Sequence, residues 1–137
     1  MRSDKIAILI KRKALLIDKF AGQVLAGCEL TNTQYKIIKF LYANMDNAVR
    51  QADIEERFSL TNPTVTGIIV NLEKKELVRR VPNPQDKRSK LLVLTEKAME
   101  IKDELYQMGE AIEAHTTQNL TEDECDELIR LLNKITE

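Results

Sequence analysis

The feature that most constrains the fold is residues 60–90, in which a helical pattern is followed directly by two short strand-like runs. The two strand-like runs, residues 77–81 and the wholly apolar residues 91–94, flank a turn that contains Pro82 and Pro84. Before them, four apolar residues follow the i, i+3, i+4, i+7 spacing of one buried helix face: Val65, Ile68, Ile69 and Leu72. The segment therefore predicts a helix followed by a two-stranded hairpin.

The predicted helix begins with residues that favour a helix N-terminus. Thr61 or Asn62 can cap the first turn, and Pro63 suits that turn because its missing N–H has no partner there. The polar face carries short side chains that allow close approach: Thr64, Thr66, Gly67 and Asn71. Since a helix N-terminus also carries partial positive charge, this face favours an anionic partner. The alternative is a capping cluster on an ordinary surface helix.

The hairpin is basic, although the net charge of the whole chain is −1. Residues 95–137 hold twelve acidic and four basic residues, so the other 94 residues carry a net charge of +7. Such asymmetry predicts a polyanion-binding face outside the C-terminal region. The hairpin contains five bases and one acid: Arg79, Arg80, Lys87, Arg88, Lys90 and Asp86. Together with the helix it predicts a recognition helix and wing for double-stranded DNA, while a solvated hairpin with incidental charge is the alternative.

Residues 4–26 predict a first helix whose apolar surface is wider than one neighbour needs, which favours contact with a second chain over a covered core helix. Residues 31–34 form a capping box, and a short helix is predicted over residues 51–58. Between them lies a helix predicted to bury Tyr35, Ile38, Leu41, Tyr42 and Met45. The short helix and the helix after it fit a helix-turn-helix.

After the hairpin, Thr95 is predicted to cap one long helix, and residues 121–124 form a second capping box. The long helix has heptad spacing that favours a dimer contact, with intramolecular packing as the alternative: Ala98, Ile101, Leu105, Met108 and Ile112. The final helix is amphipathic through Leu128, Ile129, Leu131, Leu132 and Ile135. The predicted fold is mainly α with a small β wing, a winged helix-turn-helix over residues 30–95 with dimerisation helices in residues 1–29 and 96–137.

The order of these elements resembles the MarR-type winged-helix transcriptional regulators. The resemblance spans roughly the whole chain and is carried by residues 60–66, 72–80, 86–88 and 94–95 in this order and spacing. It implies a homodimer with intertwined terminal helices and two winged-helix lobes that read a pseudo-palindrome in DNA. It also implies repression in most members, often relieved by a small molecule or by oxidation.

The resemblance also assigns site residues. Arg88 matches the wing-tip arginine that enters the minor groove, and Asp86 matches the acid that orients it. Lys87 and Lys90 then meet phosphates. The residues that match the major-groove end of the recognition helix are Thr61, Asn62, Pro63, Thr64 and Thr66. Two residues depart from the pattern, because Gly67 stands where many relatives have arginine and Glu76 where glycine usually ends the recognition helix.

The sequence gives less support to other classes of protein, such as membrane proteins, metalloproteins and enzymes. No apolar run approaches the roughly 18 residues of a membrane span, and two cysteines 97 positions apart predict a reducing, cytoplasmic location without a disulfide framework. Acidic neighbours favour structural roles for Cys28 and Cys125, and lone His115 favours a dimer interface over a metal site. Neither a cofactor nor an enzymatic activity is predicted. The alternative function is a winged-helix protein–protein adapter that does not bind DNA.

Overall fold

The computed structural model describes residues 2–135, so Met1, Thr136 and Glu137 of the predicted terminal segments lie outside the described residues. The elements run α1 Arg2–Leu25, a 3-10 turn Ala26–Cys28, α2 Asn32–Ala43, α3 Gln51–Phe58, α4 Asn62–Lys74, β1 Val78–Pro82, β2 Lys90–Leu94, α5 Glu96–Glu100, α6 Lys102–Thr117 and α7 Glu122–Leu132. β1 and β2 form an antiparallel hairpin. The predicted fold class, mainly helical with a small β wing, is confirmed.

The helix starts follow the local capping chemistry. Thr31 Oγ1 accepts the Gln34 N–H at 3.1 Å while Gln34 Oε1 accepts the Thr31 N–H at 3.2 Å, which completes the predicted capping box. Thr121 and Glu124 form the second box in the same way. Thr95 Oγ1 accepts the Ala98 N–H at 3.1 Å and caps α5 as expected. These boundaries are therefore set by neighbouring residues in the sequence.

One core joins α2, α3, α4 and the wing strands. Its fully buried side chains include Ile37, Ile38, Ile54, Val65, Ile69, Leu72 and Val78. The prediction that Met45 is buried is wrong, because α2 ends at Ala43 and the Met45 side chain is 50% exposed in the following loop. Ile68, the fourth residue of the predicted buried face, is half-buried against the core.

The predicted long helix after the wing is two helices, because the backbone leaves helical geometry at Ile101 (φ −94°, ψ 4°). The Tyr42 hydroxyl donates to the Ala98 carbonyl at 2.5 Å. In a continuous helix that oxygen accepts the N–H of Lys102. Burial raises the pKa of Tyr42 to about 12, so the phenol keeps the proton that makes this bond. A tertiary contact therefore accompanies the interruption of the helix.

The heptad residues after the wing pack within their own chain, which supports the intramolecular alternative, while a dimer contact through those that are only half-buried stays a prediction. α1 lies against α6 of the same chain. Leu105 and Ala98 are buried, and the other three pack against the core: Ile101, Met108 and Ile112. His115, predicted at a dimer interface, stacks on Phe20 of the same chain with ring centroids 3.7 Å apart.

The apolar residues that remain exposed lie mainly on α1 and α7. On α1 they are Ile6, Ile8, Leu9, Ile10, Leu15 and Leu16, and at the C-terminal end they are Leu128, Ile129, Leu131, Leu132 and Ile135. Monomeric proteins rarely leave such clusters in water. Within residues 2–135, none of the helices combines the length and the apolar character needed to cross a bilayer.

Both cysteines are free thiols. Cys28 Sγ donates to the Leu25 carbonyl at 3.2 Å and lies 3.6 Å from Met108 Sδ, between the end of α1 and α6. Burial raises the pKa of the Cys28 thiol, which disfavours the reactive thiolate. The environment of Cys28 thus agrees with the predicted structural role.

Candidate nucleic-acid interface

α3 and α4 are joined by a three-residue turn that fixes their relative position. Ser59 adopts a left-handed conformation (φ 52°) and ends α3, and the Leu60 N–H donates to the Glu55 carbonyl at 3.0 Å. Leu60 itself is half-buried against the core. The N-terminus of α4 therefore projects from a turn whose middle residue packs against the core, as a helix-turn-helix requires.

The first turn of α4 is exposed and polar. Thr61 occupies the predicted N-cap position with an extended backbone, although its hydroxyl bonds Thr64 Oγ1 at 2.9 Å instead of a helix N–H. Pro63 lies in the first turn as predicted. Thr61, Asn62, Pro63 and Thr64 are all exposed. Their side chains are accessible to a partner that approaches the helix end.

Farther along α4, the sites predicted for DNA contact differ in accessibility. Gly67 and Asn71 are exposed, whereas Thr66 is half-buried. A Cβ added at Gly67 meets nothing within 4 Å, so this position accepts a side chain without a clash. Within the described part of the chain, no neighbouring atom therefore requires glycine at position 67, where many relatives have arginine.

Two residues that sequence reasoning missed organise this end of α4. Glu55 Oε2 on α3 accepts the Asn62 Nδ2 amide at 3.0 Å and the Gln51 Nε2 amide at 3.4 Å. Gln51 Nε2 also donates to Thr66 Oγ1 at 2.8 Å. The available signal was the i, i+4 spacing of Gln51 and Glu55, which places both on one face of α3.

The wing is anchored to the start of α3. β1 and β2 pair from Val78 opposite Leu94 to Pro82 opposite Lys90. The Leu92 N–H donates to the Val49 carbonyl at 2.8 Å, which attaches β2 to the residues before α3. Next to this contact, the hydrogen bond from the Arg50 guanidinium lowers the pKa of Asp53. The wing and the helix-turn-helix thus form one structural unit.

Local hydrogen bonds shape the wing tip. Asn83 Oδ1 accepts the Gln85 N–H at 3.0 Å, and Asn83 Nδ2 donates to Ser89 Oγ at 3.0 Å across the loop. Asp86 Oδ1 accepts the Arg88 N–H at 3.0 Å and lies 3.6 Å from Arg88 Nε. The Arg88 side chain is 94% exposed. The predicted proximity of Asp86 and Arg88 is present, and the guanidinium extends into solvent from a well-defined loop.

The other wing bases are all exposed, but one of them is paired within the chain. Arg79, Lys87 and Lys90 are exposed. Arg80, which the sequence grouped with them, lies with its Nη2 atom 2.7 Å from Glu73 Oε1 on α4. The charge of Arg80 is therefore compensated within the chain, and the exposed positive charge is concentrated on the other four bases.

The turn between α4 and β1 has the left-handed backbone conformation that glycine favours, although a glutamate occupies it. Glu76 has φ 61°, in the left-handed region, and its carbonyl accepts the Thr95 hydroxyl at 2.6 Å. The Leu77 N–H donates to the Leu72 carbonyl at 3.0 Å and closes the helix end. Glu76 thus replaces the glycine of the family pattern without a change in the backbone conformation of the turn.

A turn-linked helix pair followed by a basic two-stranded wing defines the chain as a winged helix-turn-helix protein. A sequence model described as "MarR family" matches residues 30–90. The Bacillus subtilis protein named "Uncharacterized HTH-type transcriptional regulator YkoM" is 33% identical over 102 residues, or 74% of this chain and 65% of YkoM. The multiple antibiotic resistance protein MarR of Escherichia coli is 28% identical over 119 residues, or 86% of this chain and 81% of MarR.

Two solved structures extend this similarity to three dimensions. A MarR variant from Escherichia coli complexed with operator DNA has a TM-score of 0.87 at 26% identity, covering 97% of this chain and 94% of that one. The Staphylococcus aureus MepR–DNA complex has a TM-score of 0.84 at 27% identity, covering 93% of each chain. The chain belongs to the MarR family of winged helix-turn-helix transcriptional regulators.

Proposed function

We propose that this regulator works as a homodimer that binds a pseudo-two-fold symmetric DNA site and represses transcription until a small molecule or another signal releases it. The observation that carries the proposal is the wing tip, where Asp86 holds the loop and the 94% exposed Arg88 guanidinium extends into solvent. The DNA-bound MarR and MepR structures, which this chain resembles over nearly its whole length, support the same role.

In this proposal the exposed face of α4 lies in the major groove. The contact residues there are Thr61, Asn62, Pro63, Thr64, Thr66, Gly67 and Asn71. Arg88 enters the minor groove, whose negative potential favours a guanidinium, and Asp86 restricts its orientation. Arg79, Lys87 and Lys90 neutralise phosphates, so the affinity falls as salt rises.

The terminal segments, residues 1–29 and 96–137, are proposed to form the dimer interface, and residues 30–95 the DNA-binding domain. The exposed apolar side chains of α1 and α7 support this division, because association removes them from water. Two lobes related by a two-fold axis match a symmetric DNA site. We place the protein in the cytoplasm and assign it regulation without catalysis.

The experiment that tests DNA binding is fluorescence-anisotropy titration of a pool of short duplexes at two salt concentrations, followed by selection of the tightest site. We expect Arg88→Ala to weaken operator binding by about 1–3 kcal/mol at fixed salt, because a groove contact is lost. Lys39→Ala is the matched control, since Lys39 is an exposed base on α2 outside the proposed DNA-contact residues and dimer segments, and its replacement removes the same charge.

Equal affinity of Arg88→Ala and the wild type would contradict the assignment of the wing. If the wild-type protein binds no duplex even at low salt while light scattering shows a dimer, the adapter function replaces the regulator proposed above.

A further inference from the structure

We propose that Glu55 is a positioning residue that sets the base preference of α4. Its carboxylate turns the Asn62 amide so that Asn62 Oδ1 faces the DNA and selects a base with an exocyclic amino group in the major groove. The inference rests on the proposed function and deepens it, because it names what the first residue of α4 reads.

The orientation of the amide follows from hydrogen-bond chemistry. An ionised carboxylate can only accept hydrogen bonds, whereas an asparagine amide has a donating and an accepting end. Glu55 Oε2 lies 3.0 Å from Asn62 Nδ2, so the nitrogen must face α3. The opposite orientation would bring Asn62 Oδ1 against a negative oxygen. The accepting end of Asn62 is therefore directed away from α3.

This orientation is set before DNA arrives. Glu55 is half-buried and Asn62 is exposed as the first residue of α4. The bond joins residues of two different helices, and the Leu60 N–H to Glu55 carbonyl contact of 3.0 Å holds the turn between them. A side chain that is already oriented loses less conformational entropy on binding. Glu55 thus favours contact of the Asn62 oxygen with DNA over contact of the Asn62 nitrogen in that position.

The second amide on Glu55 extends the network to the next turn of α4. Gln51 Nε2 donates to Glu55 Oε2 at 3.4 Å and to Thr66 Oγ1 at 2.8 Å. Because the Thr66 oxygen accepts this bond, its hydroxyl hydrogen is directed elsewhere. One carboxylate therefore organises the two predicted contact residues, Asn62 and Thr66, that lie one helical turn apart.

The exposed acceptor predicts which bases are selected. In the major groove, adenine presents the N6 amino donor beside the N7 acceptor, and cytosine presents the N4 amino donor. Asn62 keeps its oxygen and one amide hydrogen for DNA, which together match the N6 and N7 atoms of adenine. Guanine and thymine present acceptors at the corresponding positions. The expected order at the base read by Asn62 is adenine first, then cytosine, with guanine and thymine disfavoured.

The test measures base preference instead of overall affinity. Tight sites are first selected from a randomised duplex pool with the wild-type protein, and the position whose preference is lost in Asn62→Ala marks the base that Asn62 reads. Glu55→Gln is then compared at that position, because glutamine can donate or accept and no longer fixes the amide. We expect the preference for adenine over guanine to fall by about fivefold or more, the lower limit for one good base contact.

Glu56→Gln is the matched control, since it removes the same charge from the neighbouring exposed position of α3. We expect it to retain the wild-type preference. An unchanged preference in Glu55→Gln would overturn the inference alone. A uniform loss of affinity for all sequences, with the helical circular-dichroism signal retained, would also overturn it, because Glu55 would then act only on structure. Failure of the wild-type protein to bind any duplex would overturn the proposed function together with this inference.

Discussion

Glu76 is a residue in a conformation that its side chain disfavours. Its φ of 61° allows the chain to leave α4 and enter β1, and the Thr95 hydroxyl and Leu77 N–H complete the turn. A non-glycine residue in the left-handed region costs about 1–2 kcal/mol, whereas glycine adopts it freely. The strain therefore lies at the entrance to the wing.

We expect Glu76→Gly to raise the free energy of unfolding by about 0.5–1 kcal/mol, because relief of the strain exceeds the added flexibility of the unfolded chain. Urea denaturation at one fixed protein concentration measures the change. Glu56→Gly is the control, since glycine inside α3 is expected to destabilise by about 1 kcal/mol. A loss of stability in both variants would contradict the left-handed conformation at Glu76.

At the site, the sequence predicts which side chains are exposed but not which residues orient them. The accessibility of Thr61, Asn62 and Thr64 could be predicted because helix periodicity and capping place them outside the buried face. The roles of Gln51 and Glu55 could not be predicted, since their partners lie on α4 and depend on the angle between two helices. The spacing of residues in the sequence predicts the helix face on which a residue lies. It does not predict which residue of another helix that side chain contacts.

At the scale of elements, α4 carries an internal glycine that its packing does not require. Gly67→Arg is expected to stabilise the helix by about 0.5–1 kcal/mol, because arginine has a higher helix propensity than glycine. It is also expected to steepen the slope of log K against log salt by about 0.9, because it adds one phosphate contact. Denaturation and salt-dependent anisotropy measure the two effects. Gly67→Ala is the control that gains stability without the charge. If the two variants bind DNA alike at every salt concentration, this face of α4 does not approach DNA.

Element boundaries were predictable where neighbouring residues set them. The capping boxes at Thr31 and Thr121 and the hairpin strands are encoded locally, and all are present. The interruption at Ile101 was not predictable, because the sequence there contains neither glycine nor proline and the apolar spacing continues through it. Its structural correlate is the hydroxyl of Tyr42 on the Ala98 carbonyl, from a residue 56 positions away.

At the scale of the whole molecule, the exposed apolar clusters of α1 and α7 support the proposed dimer. We expect Ile129→Glu to shift the protein toward monomer and to weaken operator binding, because a charge replaces a 59% exposed apolar side chain on α7. Multi-angle light scattering measures the mass. Met45→Glu is the matched control, since Met45 is 50% exposed in the loop after α2. A dimer that persists unchanged in Ile129→Glu would exclude this part of α7 from the interface.

The sequence could not decide which apolar surface serves association. The regular seam from Ala98 to Ile112 favoured a partner chain, yet two of its side chains are buried in the core of the same chain and the other three pack against that core. The less regular surface of α1 stays exposed instead. Periodicity identifies an apolar face, whereas the element that covers it follows from the packing of the complete chain.

The composition of β1 has a consequence for the behaviour of the protein at high concentration. Within the described residues β1 pairs with β2 alone, so its outer edge presents backbone groups that another molecule's strand can join. Pro82 lacks an N–H to donate, and the exposed Arg79 repels an identical strand. The five-residue length leaves few positions for pairing. The same short basic strand that carries the wing therefore protects the protein against edge-to-edge aggregation.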